Sequence, residues 1–321
     1  MKPKILITRQ VFPEIVALLS QQFVVDHNED DDIFTAEVLC ARARGCAGVL
    51  ACLTEKIDAA FFDACPTVKV VSNIAVGFNN IDVAEAKKRS VMVTNTPGVL
   101  DDTTADLTFA LLMAAARRIT ETERRLRNNE WKKGFSLQQW LGTDIHHASL
   151  GIIGMGRIGQ TVARRASGFD MQVCYHNRTR LDAATETKLN VHYASKESLL
   201  CESDFVVVMV PYSPSTHHLI RAADLALMKP TAIFVNSARG GVVDDSALIA
   251  ALREQRIAGA GIDVFEGEPA LNPGFLALDN VVMTPHIGSA TRATRLAMAM
   301  LAATNLKAAL TGEVPSNWVN R

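Results

Sequence analysis

SLGIIGMGRIGQTVARRASG, residues 149–168, is the stretch that decides the fold. An apolar run, SLGIIG, leads into Gly154-Met155-Gly156-Arg157-Ile158-Gly159, and the helix-period segment QTVARRASG follows. A GxGxxG spacing alone carries little information, but between a strand and a helix it marks a dinucleotide-binding turn. Gly154 permits the tight turn, Gly156 lets backbone approach a pyrophosphate, and Gly159 lets helix and strand pack closely. The helix N-terminus then offers unpaired N–H groups and a positive dipole end to phosphate.

Downstream, a nucleotide site of this kind usually carries an acid about twenty residues on, to take the ribose hydroxyls. Here the stretch is YHNRTR, residues 175–180, with His176 at the acidic position. A carboxylate there would repel a 2′-phosphate, whereas Asn177, Arg178 and Arg180 could bind one through charge-assisted hydrogen bonds. The expectation is NADP(H) in preference to NAD(H), with Arg178 as the first candidate contact.

Outward from this motif, strands and helices alternate along the whole chain. KILIT (4–8), FVVDH (23–27), GVLACL (48–53), KVVSNI (69–74) and VMVTNT (91–96) read as strands, with helical segments between them. MQVCYH, VHYA, FVVVMVP, TAIFVNS, AGAGIDV and NVVMTPH continue the pattern after residue 170. Such alternation predicts parallel sheets with helices on both faces. Residues 103–129 read as one unusually long helix that could link two domains, and TRATRLAMAMLAATNLKAALTG closes the chain as an amphipathic helix. The length, 321 residues, fits two domains.

Composition excludes several classes. The chain is 48% hydrophobic and 21% charged with formal net charge −1, so nothing calls for nucleic acid or an anionic membrane. The acidic run NEDDD (28–32) is expected to be a solvated loop. Six cysteines, none in a CxxC pair, suggest buried free thiols in a reducing compartment. No long apolar run marks a signal peptide or a membrane span, and a cytoplasmic protein is expected.

Three further stretches place a polar residue at or just beyond a predicted strand end: NSARGGVVDD (236–245), GIDVFEGEP (261–269) and TPHIGSAT (284–291). In an open α/β sheet that edge binds ligands. Carbonyl reduction needs a group to orient the substrate anion, one to polarise the carbonyl and one to deliver a proton. Arg239 can do the first two, His286 titrates near neutrality and can do the third, and Glu268 can hold the ring as imidazolium. Taken singly, each residue also fits a purely structural role.

Together these stretches resemble the signatures of the D-isomer-specific 2-hydroxyacid dehydrogenases, and the resemblance extends over essentially the whole chain. NIAVGFNNID (73–82) and TPGVLDDTTADLTFALLMAAARR (96–118) are similar to the outer-domain and hinge segments of that family. WLGTDIHHASLGIIGMGRIG is similar to bacterial members of the glyoxylate/hydroxypyruvate and 2-ketogluconate reductase branch. The resemblance implies two Rossmann-like or flavodoxin-like α/β domains with an active-site cleft between them. A discontinuous substrate domain would span 1–99 and 288–321, and a nucleotide domain 100–287. It assigns Arg239 to substrate carboxylate and carbonyl, His286 to proton donation, and Glu268 to its support. Backbone N–H groups around Val76 and Gly77 would hold the substrate carboxylate. Thr104, Arg157, Ile158, Pro211, Ser237, Ala238 and Asp263 would contact the cofactor. Homodimers through the nucleotide domain are usual in the family, and Trp140, in the loop it bounds with Trp131, could reach a partner's site or simply pack at the interface.

The function expected is NADPH-dependent reduction of a 2-oxoacid (glyoxylate, hydroxypyruvate or 2-keto-D-gluconate) to a D-2-hydroxy acid. Two other readings stay open. An NAD-dependent D-lactate or phosphoglycerate dehydrogenase is opposed by the YHNRTR stretch and by the lack of a C-terminal regulatory domain. A dinucleotide-sensing scaffold, like the corepressors of the family, would carry additional tails. The pairs His146-His147 and His217-His218 have no acidic or thiol partner at matching spacing, and no metal is expected.

Overall fold

The computed structural model describes residues 2–321. The chain forms two compact units: the first ends at Leu100 and resumes from Ala290, and the second is Asp101–Ser289. In the first, β1 (Lys4–Ile7), β2 (Val24–His27), β3 (Gly48–Ala51), β4 (Val70–Asn73) and β5 (Met92–Thr94) pair in parallel in the order β2-β1-β3-β4-β5. This is the flavodoxin-like order. Central strands such as GVLA and VVSN are buried throughout because helices cover both faces. One cover is the terminal helix Arg292–Thr311, whose Ala299, Ala302, Ala303 and Leu306 pack with Ile5, Ile7 and Leu50. Small alanines let it lie close to the sheet, and Ser72 Oγ donates to the Ala302 carbonyl at 2.7 Å.

In the second unit seven strands are all parallel: β6 (Ser149–Ile153), β7 (Gln172–His176), β8 (Val191–Tyr193), β9 (Phe205–Val208), β10 (Ile233–Asn236), β11 (Gly259–Ile262) and β12 (Val281–Met283). Their order is β12-β11-β10-β9-β6-β7-β8, with the direction of winding reversing between β6 and β9. The period-2 alternation sorts Ile152, Phe205, Val207 and Val235 to one core and Ile153, Val206, Val208 and Phe234 to the other. Gly261 is a close-approach point, since a Cβ there would lie 2.9 Å from Leu111 of the helix Asp101–Ala116.

One expectation changes, and a second, the solvated acidic loop, holds except at its first residue. The predicted helix over 103–129 is two helices, Asp101–Ala116 and Ile119–Arg127, broken where Arg118 takes the left-handed φ of 52°. The break is held from outside: Thr143 N–H takes the Ala116 carbonyl at 2.9 Å, and Arg118 Nε pairs with buried Glu121 at 2.7 Å. Helical periodicity is blind to such a long-range competitor. In NEDDD, Asn28 is buried and donates to the Thr8 and Asp32 carbonyls, while Asp31 pairs with Arg9. That loop is pinned to the end of β1. All six cysteines are free, and no described helix is long and apolar enough to cross a membrane.

Candidate active site

The β6 turn is shaped by its glycines. Gly154 has φ 106°, and a Cβ on it would meet the Met209 carbonyl carbon at 2.6 Å, just past β9. A Cβ on Gly159 would lie 2.2 Å from the Gly154 oxygen. Gly156 differs, because a Cβ there meets nothing within 4 Å: the space before the helix Arg157–Ala166 is open. That opening at the β6/β9 reversal, facing a helix N-terminus, fits a dinucleotide pyrophosphate. Met155 is buried, Ile158 half-buried and Arg157 exposed. Asn177 reaches back, its Oδ1 accepting from the Met155 N–H at 2.7 Å, so it pins the turn.

The rest of YHNRTR divides the basic pair. Arg180 is committed to Glu186 through two hydrogen bonds of 2.8 Å, and it draws the Glu186 carboxyl down to about 2, with help from the Tyr175 hydroxyl. Arg178 is exposed and has no hydrogen-bond or ion-pair partner among the described residues. His176 Nδ1 lies 3.0 Å from the Ala194 carbonyl. Pro211 is exposed past β9, its carbonyl taken by Thr216.

The other strand ends form the second half of the site. Beyond β10, Asn236 Oδ1 accepts from Ala238 N–H at 3.1 Å, and Ser237 Oγ lies 2.6 Å from Thr108 Oγ1. Thr104, one turn earlier on the same helix, is buried, and its carbonyl takes the Thr108 hydroxyl. Arg239 is half-buried as a residue, but its Nε is fully enclosed and has no partner. Among the described residues only its Nη1 is bonded, to the Ala238 carbonyl at 2.9 Å. Burial pulls this guanidinium below its ordinary range, against the opposing charges of Glu268 and Asp263. An enclosed donor without a partner is costly unless a ligand supplies the acceptor.

Beyond β11 and β12, Asp263 organises a turn. It is 1% exposed. Its Oδ1 accepts from the Thr284 hydroxyl and Ile287 N–H (2.6 and 2.8 Å), and its Oδ2 from Gly288 N–H (2.8 Å). Both oxygens are thereby spent under His286, which sits at the left-handed φ of 52° with its N–H on the Asp263 carbonyl. A histidine in that region is strained and persists where its surroundings over-determine it. His286 Nδ1 lies 2.7 Å from Glu268 Oε2, and Glu268 Oε1 accepts from Phe265 N–H at 2.9 Å. Burial would raise the Glu268 carboxyl, but the His286 contact, the Phe265 amide and Arg239 outweigh it and hold the group below its ordinary range. With Nδ1 on a carboxylate, Nε2 is the nitrogen available to a ligand.

In the first unit, the Val76 carbonyl takes Asn95 Nδ2 and the Gly77 carbonyl takes Asn73 Nδ2, each at 2.8 Å. In trans peptides this turns the Gly77 and Phe78 N–H groups away from those asparagines, a fit for an anion.

Sequence reading missed Asn236, Thr108, Asp245 and the acidic partner of His218. The structure brings Glu266 to His218 Nε2, and the ligand atoms of His217, His218 and Glu266 fall within 4.8 Å. One ion cannot take both rings, however. They stack at 3.9 Å with planes 21° apart, so the lone pairs, which lie in those planes, converge only on the order of 10 Å away, far beyond a metal–nitrogen bond.

Known proteins are similar to this chain in sequence and fold. The profile described as D-isomer specific 2-hydroxyacid dehydrogenase, NAD binding domain, matches residues 109–288. The glyoxylate reductase of Thermococcus onnurineus is 48% identical over 324 residues, covering 100% of this chain and 97% of that protein. That of Pyrococcus horikoshii is 48% identical, covering 100% and 97%. Among solved structures, the TT0316 protein of Thermus thermophilus is 40% identical with a TM-score of 0.91, covering 98% of this chain and 99% of that one. An NADPH-dependent glyoxylate/hydroxypyruvate reductase of Sinorhizobium meliloti, solved with NADP and malonate, is 32% identical with a TM-score of 0.87, covering 99% and 97%. With two parallel α/β units, a fingerprint turn at the β6/β9 reversal and full-length relatives at this identity, the chain belongs to the D-isomer-specific 2-hydroxyacid dehydrogenase family and is an oxidoreductase acting on CH–OH groups with an NAD(P)-binding domain.

Proposed function

We propose that this protein reduces glyoxylate, and with it hydroxypyruvate and 2-keto-D-gluconate, using NADPH, to yield glycolate from the first and D-2-hydroxy acids from the other two. The observation that carries the reading is the pair of Glu268 and His286 at 2.7 Å in the same unit as an enclosed, partnerless Arg239 Nε. When bound, the nicotinamide supplies hydride to C2 of the oxoacid. Arg239 binds carboxylate and carbonyl oxygen, and withdrawing charge from that oxygen favours attack. His286 gives its Nε2 proton to the oxygen as it becomes an alkoxide, and Glu268 stabilises the imidazolium beforehand. The N–H groups around Val76 and Gly77 take the substrate carboxylate.

The cofactor is held by the Gly154–Gly159 turn, with Thr104, Pro211, Ser237 and Ala238 around it and Asp263 setting the floor of the nicotinamide end. NADPH is preferred because position 176 carries no acid and Arg178 is an uncommitted cation, whereas Arg180 is already paired. The first unit serves as substrate domain, the second as nucleotide domain. We assign a cytoplasmic homodimer, with the exposed Trp131, Phe135, Leu137 and Leu141 (52–88% exposed) as the apolar surface a second copy covers. Steady-state kcat/KM for the three oxoacids with each cofactor tests the reading. Faster turnover with NADH, or no turnover of any of the three, overturns it.

A further inference from the structure

Arg239 and Glu268 stand on separate turns, after β10 and β11, and something must hold those turns together. Backbone packing does part of it: a Cβ on Gly240 would lie 1.8 Å from the Phe265 carbonyl oxygen, so the two main chains are in direct contact there. Only glycine fits, and glycine is also the residue with the most freedom to drift. A residue from a third segment bridges the contact, with its main chain on one side and its side chain on the other. His218 donates its main-chain N–H to the Gly241 carbonyl at 2.8 Å, and its Nε2 meets Glu266 Oε1. Gly241 is two residues past Arg239, and Glu266 two residues before Glu268.

The bridge is built at a cost. His218 takes a left-handed φ of 49°. It is held there by Arg221 Nε on its carbonyl at 2.9 Å and by the parallel pairing of Ile220 with Val243. Acidic side chains gather on the ring's open side. Glu266 faces it, Asp245 accepts the Glu266 N–H at 3.0 Å, and Glu266, Asp244 and His218 all lie within charge range of Asp245. His217 stacks on the ring and is itself turned to the Tyr212 hydroxyl at 3.3 Å, so it does not compete for Glu266.

We propose that His218 is a positioning residue for the reaction, clamping the turn that carries Arg239 to the turn that carries Glu268 through Gly241 and Glu266. It touches neither substrate nor cofactor. The inference rests on the roles of Arg239 and Glu268 proposed above. A clamp of this kind sets the relative placement of two reacting groups, where a misplacement of about 1 Å costs on the order of 100-fold.

The test is NADPH-dependent glyoxylate turnover by the full-length protein and its His218→Leu, His218→Gln and His217→Gln variants. Absence of turnover in the unmodified protein removes the functional reading itself. With turnover present, His218→Leu is expected to lower kcat on the order of 10- to 100-fold. NADPH binding, followed by nicotinamide fluorescence, should stay within about twofold, because the Gly154–Gly159 turn is not touched. His218→Gln keeps a donor for Glu266 and should recover most of kcat, while His217→Gln should match the unmodified protein. A folded His218→Leu variant with unchanged kcat, or one that loses NADPH binding and kcat alike, overturns the clamp. So does His218→Gln being no better than His218→Leu. If His218→Leu does not fold, Glu266→Ala, which cuts the same link from the other side, is read by the same criteria.

Discussion

The turn after β6 and the turns after β11 and β12 do comparable work at the same sheet edge, yet they are held by different forces. From Gly154 to Gly159 the path is set by what the residues lack: a Cβ at Gly154 and at Gly159, where one would clash, with one side chain, Asn177, reaching over from the end of β7. From Asp263 to Gly288 it is set by what the residues carry. A buried carboxylate gathers three donors from 21 to 25 residues away, and Glu268 spans the 18 residues to His286. The first turn is stiff because alternatives clash, and it leaves an open cradle. The second is stiff because buried charges would otherwise go unpaired, and it leaves His286 Nε2 without a claim from Glu268.

Breaking the second turn's chemistry without its frame should give the largest effect. His286→Asn is expected to lower kcat by about 10²- to 10⁴-fold with NADPH affinity nearly unchanged. Equal loss of both in steady-state and binding assays would show that the two turns are not separable. On the nucleotide side, Arg178→Ala should raise the KM for NADPH about 10- to 100-fold and leave NADH untouched, as expected for loss of a charge-assisted contact. Arg180→Ala should change it about twofold at most, since Glu186 already holds that guanidinium. Equal effects of the two substitutions would remove the distinction between them.

Glu268→Gln should lower kcat about tenfold at neutral pH with NADPH affinity unchanged, because the His286 ring loses the carboxylate that holds it at 2.7 Å. An unchanged kcat would take Glu268 out of its role. The smallest effect concerns the frame. Burial pushes the Asp245 carboxyl up to about 6, helped by Glu266 and Asp244 and opposed by the Glu266 amide. A raised carboxyl favours the folded state only while protonated, so that stability is full below about 4 and is lost as pH rises through about 6. Asp245→Asn keeps an acceptor for the Glu266 N–H without the charge. It should stabilise the protein by about 1–3 kcal/mol at pH 8 and by nearly nothing at pH 4, read as the shift in denaturant midpoint.

Much of this was legible along the chain because it is local. Alternating β-branched runs and helix-period segments set the strands of both sheets, as each run must bury both faces. The glycine spacing after β6 marks the turn, since only glycine tolerates the φ of 106° at Gly154 and the close approach at Gly159. Arg239, Glu268 and His286 stood out as polar residues at strand ends, although spacing alone left each with a structural alternative.

Other features depend on partners distant in sequence, and no local pattern contains them. Helical period could not see Thr143 taking the Ala116 carbonyl, so the helix over 103–129 reads as continuous when it breaks at Arg118. Charge could not show that Asn28 is buried in an acidic run, or that Glu186 claims one arginine of YHNRTR and leaves the other. Spacing gave His218 no acidic partner, because Glu266 stands 48 residues away and reaches it only through the sheet order. The sequence by itself determined the strand pattern, the nucleotide turn and the residues able to move a proton, since these follow from backbone sterics and side-chain chemistry. Which of those side chains are committed and which are left for a ligand was decided by the tertiary structure, because a charge pairs with whatever the fold brings within reach.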